Sequence, residues 1–230
     1  MQFRLALAAA LLLAIGACAQ ISGALNRDRE TQQAQDVLPD GGPPVVNGFY
    51  DFEGSCPFEG CGLGDLYALV PVELLERPAL DARVVATVQT GEWVSTRNSI
   101  NRSRPARGVV IGEVRNLYSS GNGIPVLEVG DVVYVVDYEG EGMTRLWRRG
   151  EFISWMETGS DENGVDDGIR WTWLTEEQRA TDQAAGAGWW LEVQRANGER
   201  GWTRNAGDFD CLAQIDPSPR CEEHWAARGR

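Results

Sequence analysis

The stretch Gly188-Trp189-Trp190-Leu191-Glu192-Val193-Gln194-Arg195-Ala196-Asn197-Gly198-Glu199-Arg200-Gly201-Trp202-Thr203 decides the fold class of this 230-residue chain. Its aromatic and β-branched residues suit a half-buried pleated surface. Asn197-Gly198 in the middle supplies the positive φ angles of a two-residue type I′ turn, so the stretch predicts a β-hairpin. No first half of the same sheet lies nearby in sequence, so the hairpin is expected to complete a sheet begun elsewhere.

Upstream, short apolar runs alternate with turn residues: Leu66 to Leu75, Arg83 to Gln89 and Trp93 to Ser95. A second copy of this pattern begins near Val109. Leu127-Glu128-Val129-Gly130-Asp131 leads into Val132 to Val136, Glu139-Gly140-Glu141-Gly142 turns, Met143 to Trp147 returns and Glu151 to Trp155 follows. Letting the hairpin close the barrel begun at 65–97, with the unit 108–156 between the two parts, leaves no long open edge. Thr175-Glu176-Glu177-Gln178 is a capping box with acids in the first turn, and Gly186 can end the helix it starts, so one helix of about ten residues is expected.

Pro71-Val72-Glu73-Leu74-Leu75-Glu76-Arg77-Pro78, then Val84 to Val88 and Thr90-Gly91-Glu92-Trp93-Val94, resembles the opening of a bacterial SH3-like domain. With Cys56-Pro57-Phe58-Glu59-Gly60-Cys61, Gly140-Glu141-Gly142 and the closing Gly201-Trp202, the chain over residues 53–210 resembles the uncharacterised exported bacterial SH3-like (SH3b) domain proteins. The resemblance implies a mostly β fold of two small SH3-like barrels, sequential or nested, with one short helix. It specifies architecture and brings no activity, since such barrels host many functions. The expected division is a signal peptide at 1–19, a flexible tether at 20–48, the first part of barrel 1 at 49–107 and barrel 2 at 108–160. An acidic loop and short helix at 161–187, a closing hairpin at 188–212 and a C-terminal tail at 213–230 complete it.

Arg4, the apolar run Leu5 to Gly16 and the small residues Ala17-Cys18-Ala19 form a secretion signal. That run as helix reaches only about 18 Å, too short for a bilayer core. Cleavage after Ala17-x-Ala19 and lipidation of Cys18 in a lipobox-like Ile15-Gly16-Ala17-Cys18 both remain open. Either places the protein outside the cytoplasm, in the periplasm or as an outer-membrane lipoprotein, with membrane contact only through a lipidated Cys18. Residues Ile21 to Gly48 are polar and end in a Pro/Gly run, which reads as a flexible tether.

The net charge of −13, or −14 once Arg4 is removed, opposes phosphate backbones and disfavours nucleic acid as a partner. All 21 basic residues are Arg, which removes Lys-based covalent chemistry. Nine Trp, 27 Gly and 10 Pro, with few helical patterns, argue for β structure. About 210 mature residues can bury a substantial core.

Cys56, Cys61, Cys211 and Cys221 remain after the signal, an even number in an oxidising compartment. Four Cys allow three pairings. The local pairs Cys56–Cys61 and Cys211–Cys221 are favoured because each closes a short Pro-containing loop. A four-thiolate zinc site is the alternative, and intervals of four and nine residues are unlike a zinc ribbon.

Catalytic signals are sparse. His224 is the single histidine and lies in the tail, and Asp166-Asp167 and Glu176-Glu177 are two of many acidic pairs. Asp161 to Gly168 offers oxygen ligands but fails the EF-hand spacing. Arg97, Arg102, Arg104 and Arg107 read as a solvated loop, or as a grip for a carboxylate. Trp171 and Trp173, two apart on one strand face, with Trp155 and Tyr138, are the candidate aromatic ligand surface; filling the core is the plainer role for such rings. The expected function is therefore a non-catalytic cell-envelope binding or scaffold protein recognising a peptide, a cell-wall glycan or a partner protein, with no cofactor. A carboxylate-dependent envelope hydrolase is the alternative.

Overall fold

A computed structural model of the protein describes residues 36–56, 60–118, 126–214 and 216–229. The signal segment, Cys18 and the tether up to residue 35 lie outside them. Among the described residues the fold is mostly β, with two curled antiparallel half-barrel sheets and two short α-helices.

After a small ribbon of β1 (Asp36–Val37) and β2 (Pro44–Val45), the chain lays down β3 (Tyr50–Glu53), β4 (Asp65–Ala68), β5 (Val72–Leu75), β6 (Val84–Val88) and the long β7 (Trp93–Ser103). It then leaves for a second sheet of β8 (Ala106–Val110), β9 (Leu117–Tyr118), β10 (Val132–Gly140), β11 (Met143–Arg148), β12 (Glu151–Met156), β13 (Val165–Asp166) and β14 (Ile169–Thr172). Helix α1 (Glu176–Ala184) brings it back to the first sheet with β15 (Gly188–Arg195), β16 (Arg200–Thr203) and β17 (Phe209–Asp210), and α2 (Pro219–Ala227) follows. The decisive hairpin thus does complete a sheet begun far upstream, because β15 pairs with β7 from Gly188 opposite Arg102 to Arg195 opposite Val94. The second sheet extends to residue 172, past the expected limit at 160.

The hairpin turn differs from expectation. Gly198 alone in the turn has positive φ, at 89°, and Arg195 accepts from the Gly198 amide at 2.9 Å while its own amide donates to Glu199 at 2.8 Å. This is a longer turn with a single left-handed glycine, the bulged three-residue solution to the same strand twist.

Each sheet encloses its own core. Alternation on β5 points Val72 and Leu74 inward, where they meet Leu66, Val88, Val94, Leu191 and Val193. In the second sheet Trp155 and Trp171 pack with Val110, Val133, Leu146 and Ile169. On β14 the buried positions are Ile169 and Trp171, and Trp171 lies opposite Gly108 of β8. Glycine is needed there: a Cβ at 108 would meet the Trp171 ring at 2.6 Å.

Residues 36–48, expected to be part of a flexible tether, are ordered, with Val45 buried. They need no core of their own because side chains of the second sheet hold them. The Tyr134 hydroxyl donates to the Pro39 carbonyl at 2.9 Å, the Trp147 indole to the Gly41 carbonyl at 3.0 Å, and Arg107 pairs with Asp40 at 2.7 Å. Helix α1 has the expected capping box between Thr175 and Gln178, and Gly186 with positive φ follows its end. Its one buried side chain is Asp182, which takes a two-pronged contact from Arg104 at 2.8–3.1 Å.

Residues 216–229, expected to be part of a C-terminal tail, carry helix α2. Disulfides join Cys56 to Cys61 and Cys211 to Cys221, as oxidation outside the cytoplasm would give, and the second fastens α2 to the end of the first sheet.

Candidate functional site

The two sheets meet where β3 and β7 approach β10, and a cleft opens at this seam. Its walls include Phe52 of β3, Ser55 just beyond that strand, and Asp137, Tyr138, Glu139 and Arg145 from the second sheet, around a volume of about 260 Å³. Irregular pairing of β10 with β11 falls between Val135 and Asp137 and between Tyr138 and Gly140. Such bulges locally bend a strand, and Asp137, Tyr138 and Glu139, all three of which line the cleft, lie in this irregular stretch. The tight connection through Gly140, Glu141 and Gly142, all with positive φ, brings Arg145 back beside them.

Asp137 is buried, with 6% of its surface exposed. Ser55 Oγ donates to its Oδ1 at 2.8 Å and Asn101 Nδ2 to the same oxygen at 2.9 Å. Ser55 is held in turn by the Trp189 indole at 3.1 Å and by its carbonyl, which accepts from Ser99 Oγ at 2.6 Å. Burial pushes the Asp137 carboxyl above its ordinary value, and the hydrogen bonds from Asn101 and Ser55 and the charge of Arg145 offset this only in part. Glu139 pairs through Oε1 with Arg145, while its Oε2 is buried without a hydrogen-bond partner. The Arg145 guanidinium also lies over the Phe52 ring, 4.4 Å from its centre.

The raised carboxyl fixes the sign of a pH effect. The folded protein holds the Asp137 proton more tightly than the unfolded chain does. The stability linked to that proton is full below the unfolded pKa and is lost as pH rises through the folded one. Asp137→Asn keeps an oxygen for Ser55 and Asn101 and abolishes the charge, so it is expected to raise the melting temperature at neutral pH and not at pH 3. Melting curves of both proteins across pH check this; an equal difference at every pH would contradict it.

The sequence-derived aromatic set divides. Trp155 is fully buried and Trp171 nearly so, their ring centres 5.3 Å apart within the second core, and neither offers a face to a ligand. Trp173 stacks on Trp171 at 4.9 Å, so the two do share a side, but that side faces the core and only Trp173, 39% exposed, reaches its rim. Tyr138, 45% exposed, stands at the cleft.

Other candidates are used internally. Asp161 caps the amides of Asn163 and Val165, Asp166 those of Thr158 and Gly159, and Asp167 those of Arg115 and Asn116. Those carboxylates hold their own loops. Arg102, Arg104 and Arg107 pair with Asp51, Asp182 and Asp40, and Arg97 donates to Gln194 at 2.6 Å. His224 stacks on Trp93 with ring centres 3.6 Å apart and meets Asp65 at 3.1 Å, while Ser95 and Arg228 donate to the same carboxylate. A hydrolytic triad places histidine between serine and acid; here the acid is in the middle, so His224 anchors α2. Among the described residues, Asp210, Cys211 and Cys221 converge like metal ligands, but both sulfurs are spent in a disulfide.

Asp137, Glu139, Arg145 and Phe52 were not singled out by sequence. The available signal was polar residues at inward positions, Ser99 and Asn101 on β7, which require a polar partner across the seam. Comparison with protein-family models, with curated proteins and with solved structures returned no match.

Proposed function

We infer that the protein is a non-catalytic binding module of the cell envelope that takes its ligand in the cleft between the two sheets. On this reading it is exported to the periplasm or held as an outer-membrane lipoprotein through Cys18, and it is built of two SH3-like barrels, the second carried within the first. Two disulfides support an oxidising location. The observation that carries the binding reading is the buried oxygen of Glu139 left without a partner at the wall of a cleft. Buried polar atoms are nearly always satisfied, and one left without a partner on a cleft-lining residue calls for a donor from outside. The hydrolase reading is weaker because Glu139 is tied to Arg145 and Asp137 to two donors, which leaves no free base opposite an acid.

Titration of defined envelope peptides and glycan fragments tests this, with calorimetry for affinity and chromatography for products. Tyr138→Ala is expected to weaken binding about tenfold or more, as loss of a central aromatic anchor does, while Trp173→Ala leaves it within about twofold. The opposite ranking would move the ligand surface to the Trp173 rim, and cleavage of a fragment would overturn the non-catalytic reading.

A further inference from the structure

The two disulfides differ in access and in what they constrain. Cys211 and Cys221 are buried, 4% and 0% exposed, and their bridge fastens α2. Cys56 and Cys61 are only half-buried, and Cys56 lines the cleft at the seam. Exchange of a disulfide requires an incoming thiolate to reach one of its sulfurs, so the bridge on the cleft is the more open to attack.

The chain on either side of that bridge is held without it. The Gly54 amide donates to the Ser99 carbonyl at 2.8 Å, and Ser99 Oγ donates to the Ser55 carbonyl at 2.6 Å. Cys61 pairs across an isolated β-bridge with Ala213. On either side of it the Gly62 amide donates to the Leu212 carbonyl at 2.9 Å and the Gln214 amide to the Gly60 carbonyl at 2.8 Å. None of these bonds runs through sulfur. They keep the two Cα atoms near their separation of 6.0 Å, within the ordinary span of about 4.4–6.8 Å, so an opened pair stays poised to close again. A bridge over a separation of 5 also constrains the unfolded chain less than one over 10, so opening it costs the fold less.

We propose that Cys56–Cys61 is a site of reversible thiol–disulfide exchange, opened from the cleft by a dithiol reductant while Cys211–Cys221 stays oxidised. A thiolate of the reductant bonds to Cys56 Sγ as the bridge breaks, and Cys61 leaves as a thiolate that takes a proton from water. The second thiolate of the reductant then displaces Cys56 from the mixed disulfide, and Cys56 is protonated in turn. The protein gains two electrons, and the reductant that lost them departs as a disulfide. Exchange needs only entry of a thiol and no bound ligand, so it is independent of the binding role.

Redox titration of the purified protein in mixtures of reduced and oxidised dithiothreitol tests the proposal, with acid quench, alkylation and peptide mass mapping of each cysteine. Cys56 and Cys61 are expected to reach half-labelling at a ratio of reduced to oxidised reagent at least about tenfold lower than Cys211 and Cys221. They are also expected to escape labelling again once oxidised reagent is restored before the quench. Half-labelling of all four at one ratio, or of Cys211 and Cys221 first, would overturn the proposal. The sheet signal in circular dichroism is expected to persist through the first step; its loss there would make the bridge structural and overturn the exchange role. A brief pulse of the monothiol 2-mercaptoethanol, mapped in the same way, is expected to leave its adduct on Cys56. An adduct chiefly on Cys61 would overturn attack from the cleft.

Discussion

Trp155→Ala is expected to destabilise the protein by about 3–5 kcal/mol, as deletion of a fully buried tryptophan does. The ring has no exposed surface and lies among Val110, Leu146, Ile169 and Trp171. Its indole also points at Asp167, 3.4 Å away, an acid that caps the Arg115 and Asn116 amides, so the loop entering β9 loses support as well. Against a typical total of about 5–15 kcal/mol, the loss approaches unfolding. Trp173→Ala, at the rim, is expected to cost about 1 kcal/mol or less. Denaturant unfolding of the two variants measures both. Comparable small losses would mean that Trp155 is not a core residue.

Replacing both Cys211 and Cys221 by Ala is expected to cost about 2–4 kcal/mol, chiefly by freeing the unfolded chain. The native Cα–Cα span of 5.4 Å lies within the ordinary range for a bridge. The effect extends further, because this bridge fastens the helix whose His224 covers Trp93 and whose Arg228 reaches Asp65. With the bridge gone, the helix is expected to fray first, uncovering Trp93 and changing tryptophan fluorescence at denaturant concentrations where the sheets persist. The Cys56–Cys61 bridge closes a loop half as long, with a separation of 5 against 10, so its removal is expected to cost less. An unchanged unfolding midpoint in the Cys211/Cys221 variant would contradict the role given to α2.

Local signals were the legible ones. Asn197-Gly198 between two strand-forming runs and Thr175 with Gln178 each act within a few residues, and the hairpin and α1 stand where those signals place them. The two Cys pairings were legible for the same reason. Which face of β14 looks inward was not: two tryptophans two apart must share a side, but the choice of side is made by Gly108 on another strand, which leaves room for Trp171. The ribbon at 36–48 read as a tether because its polar composition buries little by itself, and its partners, Tyr134 and Trp147, lie about a hundred residues away. Helix α2 had one cue, Pro219 in its first turn after Ser218, without an apolar face to strengthen it. The cleft was least legible, since Ser55 and Asp137 are 82 residues apart and the irregular pairing of β10 leaves no simple alternation to read.

The account rests most on the seam between the sheets being the place where a ligand sits. Tyr138 and Trp173 are the two exposed members of the aromatic set, and they stand at different places, one at the cleft and one at the rim of the second core. A photo-activatable phenylalanine at position 138 or at position 173, in the full-length protein in intact envelopes, separates them directly. The expected result is a discrete cross-linked product from position 138 that disappears when Asp137→Asn and Glu139→Gln are added, with none from position 173. A product from position 173 alone, or one from position 138 that survives loss of both acids, would contradict the cleft as the binding site.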